Sequence, residues 1–184
     1  VHLYAQWIPY EYKIVFDDNV DTNDVSGTMD SILATYDVSY ALRKNSFTRS
    51  GYTFTGWTGS NGSTPSTSVS VSKGSTGNKS YTANWTAIKY KVTFNGNGHT
   101  GGSTADQSGF TYDVPASLRA NGFTRTGYTF VGWNTQSDGS GITYADRESV
   151  KNLTSVSGGT VTLYAKWTAN TYTIVFNANG GSGT

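Results

Sequence analysis

A mainly β protein, α+β at most, made of tandem small domains with little or no helix is the fold class that this sequence predicts, and three observations predict it. The segment Phe47-Thr-Arg-Ser-Gly-Tyr-Thr-Phe-Thr-Gly-Trp57 returns as Phe123-Thr-Arg-Thr-Gly-Tyr-Thr-Phe-Val-Gly-Trp133, 76 residues later. That period is a whole small domain, far longer than the unit of a helical solenoid. Between the landmarks, apolar residues recur at every second position in short runs, and no stretch sustains a helical period.

The other landmarks keep the same phase. Trp7, Trp85 and Trp167 lie 78 and 82 residues apart, and Phe16, Phe94 and Phe176 follow them at the same intervals. The expected division is therefore 1–7 as the end of a preceding repeat, 8–85 and 86–167 as two repeat units, and 168–184 as the start of a following one.

Each unit is expected to open on a strand. In Tyr12-Lys-Ile-Val-Phe16, Tyr90-Lys-Val-Thr-Phe94 and Tyr172-Thr-Ile-Val-Phe176, the first, third and fifth residues are aromatic, aliphatic and aromatic, which predicts one buried face. The best helical candidate is Met29 to Ala34, about one and a half turns. The segments from Thr35 and from Thr111 read as a short strand entering a turn or a single helical turn, and Pro115 argues against a central strand there. Arg49-Ser-Gly51 and Arg125-Thr-Gly127 predict turns into strands whose Tyr52 and Phe54, or Tyr128 and Phe130, share a face. Gly56 and Gly132 precede the Trp residues and predict a bulge or a close backbone approach, which leaves open the face on which Trp57 and Trp133 pack. From these Trp residues to the next ones, a Ser-, Thr- and Gly-rich region of unequal length reads as loop plus edge strand. Each unit closes on Leu3-Tyr-Ala-Gln-Trp7, Tyr81-Thr-Ala-Asn-Trp85 or Leu163-Tyr-Ala-Lys-Trp167, with the inward Ala marking a crowded position.

Composition narrows function. A domain of this size has a marginal core and needs large side chains, which five Trp, thirteen Tyr and eight Phe supply. With no cysteine there is neither a disulfide nor a thiolate nucleophile. A net charge of +1 with scattered basic residues gives no footprint for nucleic acid, and no apolar run is long enough for a membrane-spanning helix.

The sharpest local signal is the acidic loop Asp17-Asp-Asn-Val-Asp-Thr-Asn-Asp24. Its Asp17, Asn19 and Asp21 have the alternate spacing of an oxygen-rich calcium loop. Thr22, however, stands where the sharp turn needs Gly, and Thr28 where a bidentate Glu belongs, so a solvated loop is the preferred reading. His2 and His99 have no counterparts in the other units, and no Ser, His and Asp set recurs in both. These features predict no catalytic residue, no cofactor and no resident metal. Arg49 and Arg125 recur, and their stems are expected to cover a neighbouring Tyr or Trp.

The three motifs together resemble the Listeria–Bacteroides repeat, also known from internalin-type B repeats of bacterial surface proteins. The match covers essentially the whole chain: Tyr-x-Val/Ile-x-Phe-Asn-x-Asn-Gly-Gly at the start, Phe-Thr-Arg-x-Gly-Tyr-x-Phe-x-Gly-Trp in the middle and Leu-Tyr-Ala-x-Trp at the end. The resemblance implies a small β-grasp-like domain, strung in tandem on secreted or wall-attached proteins as a spacer or adhesive stalk. It implies no family-wide catalytic residues. Its partners would be the neighbouring repeats; in a rival reading as a binding module, the variable loops or an exposed Tyr4, Tyr144 and Tyr164 contact a host or matrix protein or glycan. Any specificity is expected where the copies differ, in Asp17 to Asp24 and between the paired Trp residues.

Overall fold

The computed structural model describes residues 1–21, 24–177 and 179–181. They divide into two compact units. The first comprises Val1–Tyr90 with Thr111–Val114 and Asn152–Gly159, and the second Lys91–Phe110 with Pro115–Lys151 and Thr160–Thr184. All regular structure among the described residues is strand, and none is helix.

The first unit is organised by a five-stranded sheet in the spatial order Ile32–Thr35, Glu11–Asp17, Lys79–Ala87, Tyr52–Gly59, Gly62–Ser66. The opening strand Glu11–Asp17 and the closing strand Lys79–Ala87 lie side by side and parallel, with Phe16 opposite Tyr81. Their outer neighbours are antiparallel. First and last strands paired in parallel at the sheet centre make the β-grasp-like sheet that the resemblance implied. A parallel pair needs a long crossover. Here the crossover contains two small ribbons, Val25–Ser26 with Thr48–Arg49 and Tyr40–Ala41 with Ser70–Val71, where a helix is usual.

The predicted inward faces are the observed ones. Tyr12, Ile14, Tyr81 and Ala83 are buried in one cluster with Ala34, Phe47, Trp57 and Val71. Trp57 is its hub, with the rings of Phe54, Phe16 and Phe47 at 5.0, 5.3 and 6.2 Å. Tilted and edge-on pairs of this kind add to the free energy of burial itself.

Gly56 settles the face of the Trp. The register along Tyr52–Gly59 shifts between Phe54 and Gly56, and Gly56 has φ of +137°. The extra residue returns Trp57 to the face that carries Phe54, and Trp57 is 1% exposed. A Cβ on Gly56 would stand 2.5 Å from the Ser66 nitrogen, so the bulge also lets the edge strand approach.

The second unit repeats the design. Its sheet runs Gln107–Thr111, Lys89–Asn95, Thr160–Ala169, Tyr128–Asn134, Thr143–Tyr144, with the same parallel pairing of Phe94 with Leu163 and the same register shift at Gly132. Trp133 is fully buried, with Phe94, Phe130 and Phe123 at 4.7, 5.0 and 6.2 Å. Ala165, like Ala83, has no exposed surface.

Three expectations are corrected. Met29 to Ala34 is not helical: its C-terminal residues begin the strand Ile32–Thr35, because pairing with Glu11–Asp17 outweighs the propensity of six residues. The closing motif Leu3 to Trp7 and the opening motif Tyr172 to Phe176 form no strand. Trp7 is 89% and Phe176 91% exposed, since no neighbouring strand is paired with either segment. Tyr144 and Tyr164 are half-buried, whereas Tyr4 is exposed as expected.

Candidate functional site

The acidic loop of the first unit begins with a turn over Asp17 to Val20. Asp17 accepts the Asn19 N–H at 2.6 Å through Oδ1, and Asp18 accepts that of Val20 at 3.1 Å. Asn19 adopts φ of +61° and donates its side-chain amide to the Ala83 carbonyl. The second unit does the same at Asn97, with φ of +46°: its N–H goes to Asn95, and its side chain donates to the carbonyls of Ala165 and Ser137. In both units this turn is braced by the closing Trp. Trp85 donates its indole N–H to the Asp18 carbonyl at 2.8 Å, and Trp167 donates to Gly96 at 2.9 Å. Asp17 and Asn19 thus belong to an anchoring device common to both units. Thr22 and Asn23 of the same loop lie outside the described residues, and no group of three or more His, Asp or Glu able to hold a metal occurs among those described.

The other candidates resolve into structure. His99 packs its ring 4.7 Å from Phe123, and His2 stands exposed. Arg49 and Arg125 lie over the rings of Tyr52 and Tyr128, each with the guanidinium carbon 3.8 Å from the ring centroid, so it is the charged head, and not only the stem, that meets the ring. Phe130 and Phe54 meet Trp167 and Trp85 edge-on.

A polar cleft belongs to the second unit. About 260 Å³ in volume, it is lined by Arg125, Gln136, Asp138, Lys166 and the half-buried Trp167. Its wall is the loop after Trp133, and a residue that sequence reasoning did not single out holds that loop. Asn134, 1% exposed, donates to the Gly139 and Gly141 carbonyls and to Thr143 Oγ1, and accepts the N–H groups of Gln136 and Gly141. The signal was present: the first unit has Thr58 where the second has Asn134, and a shorter loop follows. Two hydrogen bonds from Ser140 hold the Asp138 carboxyl below its ordinary pKa. An aromatic platform, two cationic donors, an amide and a carboxylate can together grip a small polar molecule.

Comparison with known proteins identifies the frame. Residues 90–166 match the Listeria-Bacteroides repeat domain, and residues 44–89 match the divergent InlB B-repeat domain. Two proteins of Evansella cellulosilytica are similar over most of the chain. One, named "Putative Gly-rich membrane protein", is 34% identical over 172 residues, which is 90% of this chain and 19% of that protein. Another, named "Putative membrane protein", is 28% identical over 169 residues, or 91% and 24%. The chain therefore spans a fifth to a quarter of the length of these relatives. No helix among the described residues is long and apolar enough to cross a membrane.

Proposed function

Because the chain carries tandem repeats of the Listeria–Bacteroides and InlB B-repeat type, a repeat family of bacterial surface proteins, we propose that it is a spacer or stalk segment, displayed outside the cell on a secreted or wall-attached protein. One observation supports this reading most. What the two units share is the frame: the Trp hub, the bulge Gly, the braced Asn turn and the stacked Arg–Tyr pair. What differs is the polar loop lining, so no chemistry is copied with the fold. Such a role requires position and reach, and neither catalysis nor a cofactor. Replacing the repeats by an unrelated stalk of equal length should preserve the parent protein's surface activity. Shortening the array should lower it, and loss of activity on equal-length replacement would contradict the spacer reading.

The second reading is a binding module for a protein or glycan, and the cleft at Trp167 favours it. On that reading the isolated chain binds a glycan array saturably, and Asp138→Ala or Trp167→Ala abolishes binding. Arrays without saturable binding would support the spacer.

A further inference from the structure

In the first unit the corner at Gly51 and Tyr52 is covered by a specific turn. A backbone ladder leads to it: Ile88 N–H donates to the Gly51 carbonyl at 2.9 Å, and Tyr112 N–H donates to the Ile88 carbonyl at 3.0 Å. The Tyr112 ring stands edge-on to Tyr52, with centroids 5.9 Å apart, and occupies the space that a Cβ on Gly51 would need. Tyr52 donates its hydroxyl to Asp113 Oδ2 at 2.8 Å. Asp113, at φ of +61°, is clamped by Asn152, which donates to its Oδ1 at 2.7 Å and accepts its N–H at 2.6 Å. Gly51 is accordingly buried and Tyr52 half-buried.

Among the described residues, the second unit builds the same corner without the cover. Asn170 N–H donates to the Gly127 carbonyl at 2.8 Å, as Ile88 does to Gly51, and Arg125 stacks on Tyr128 as Arg49 does on Tyr52. Here a Cβ on Gly127 would meet nothing within 4 Å, and Tyr128 is 38% exposed. The covering turn also recurs: Thr111-Tyr-Asp-Val114 has the counterpart Thr35-Tyr-Asp-Val38. Tyr36 N–H donates to the Tyr10 carbonyl at 2.9 Å, as Tyr112 does to Ile88. Tyr36 and Asp37 are exposed beside an open cleft of about 520 Å³ that Trp7, Ile8, Pro9 and Tyr10 also line.

We propose that the Gly127–Tyr128 corner is a docking site for the Tyr-Asp turn of another copy of this repeat, and that Tyr36-Asp37 is such a turn awaiting a Gly-Tyr corner. The occupant is fixed by shape and charge. A glycine leaves a flat floor for an aromatic ring, the tyrosine hydroxyl seeks a carboxylate, and the arginine over its ring is of opposite sign to that carboxylate. The inference holds whether the array spaces or binds, so failure of the spacer reading would leave it standing.

Between tethered copies this contact forms at an effective concentration in about the millimolar range, so between free chains it should be correspondingly weak. The test is a dilution series of the ¹⁵N-labelled 184-residue chain, followed by amide shifts up to about 2 mM, near that effective concentration. The expected result is saturating shifts at Gly127, Tyr128 and Asn170 that move together with those at Tyr36 and Asp37. Tyr128→Ala should weaken the apparent affinity about tenfold or more, which is about 1.4 kcal/mol, and Asp37→Asn should weaken it in the same direction. Tyr128→Phe keeps the ring and decides the matter if the alanine variant does not fold: it too must weaken association, through the lost hydroxyl. Concentration-independent spectra would overturn the proposal. So would shifts at the corner without shifts at Tyr36 and Asp37, or shifts unchanged by both Tyr128 variants.

Discussion

At the scale of the residue, Tyr52 shows how a signature side chain acquires its setting. Its hydroxyl donates to the Asp113 carboxylate, and that hydrogen bond, followed by partial burial and the negative charge, raises the phenol pKa above 10.0. The protonated phenol is thus favoured by the folded state. Its contribution to stability is fully present below the ordinary tyrosine pKa and is lost as pH rises through the raised value. Ultraviolet titration of the phenols should find Tyr52 ionising above the ordinary tyrosine range, and Asp113→Asn should return it towards that range. A Tyr52 that titrates unchanged in that variant would mean that the hydrogen bond is not what holds the proton.

At the scale of the element, the strands were legible because their inward residues announce themselves at every second position. Tyr12 and Ile14, Tyr90 and Val92, and Tyr81 and Ala83 are all buried as that alternation predicts. Alternation says nothing of pairing, however. Leu3 to Trp7 and Tyr172 to Phe176 carry the same pattern and form no strand, since a strand exists only against a neighbour. The bulge hid the Trp face for a related reason: one inserted residue reverses the parity on which such reading depends. The loop after Trp133 was legible as variable but not as ordered, because one buried amide makes five of the hydrogen bonds that order it. Asn134→Ala should therefore loosen residues 135–141 and cost at least about 2 kcal/mol, since several loop groups lose their partners together. Chemical denaturation and amide exchange at Gln136 and Gly141 measure this, both N–H groups being held by Asn134 Oδ1. Unchanged protection there would show that the loop holds its own shape.

At the scale of the whole molecule, stability rests on aromatic burial and backbone ladders, and scarcely on charge. Only 14% of residues are charged, the net charge is +1, and an ion pair among the described residues joins the exposed Lys91 and Asp106 at 4.0 Å. A pair of that kind contributes about 0–1 kcal/mol and is screened by salt. Raising ionic strength from about 0.1 to 1 M shortens the Debye length from about 10 to 3 Å, which leaves nothing large to lose here. Sodium chloride over that range should therefore leave the denaturation midpoints nearly unchanged, whereas sulfate at equal ionic strength should raise them by strengthening apolar burial. A marked fall in stability with sodium chloride would show that electrostatics carries part of the fold. This insensitivity follows from the composition that gives each unit its Trp hub in place of a disulfide or a charge network.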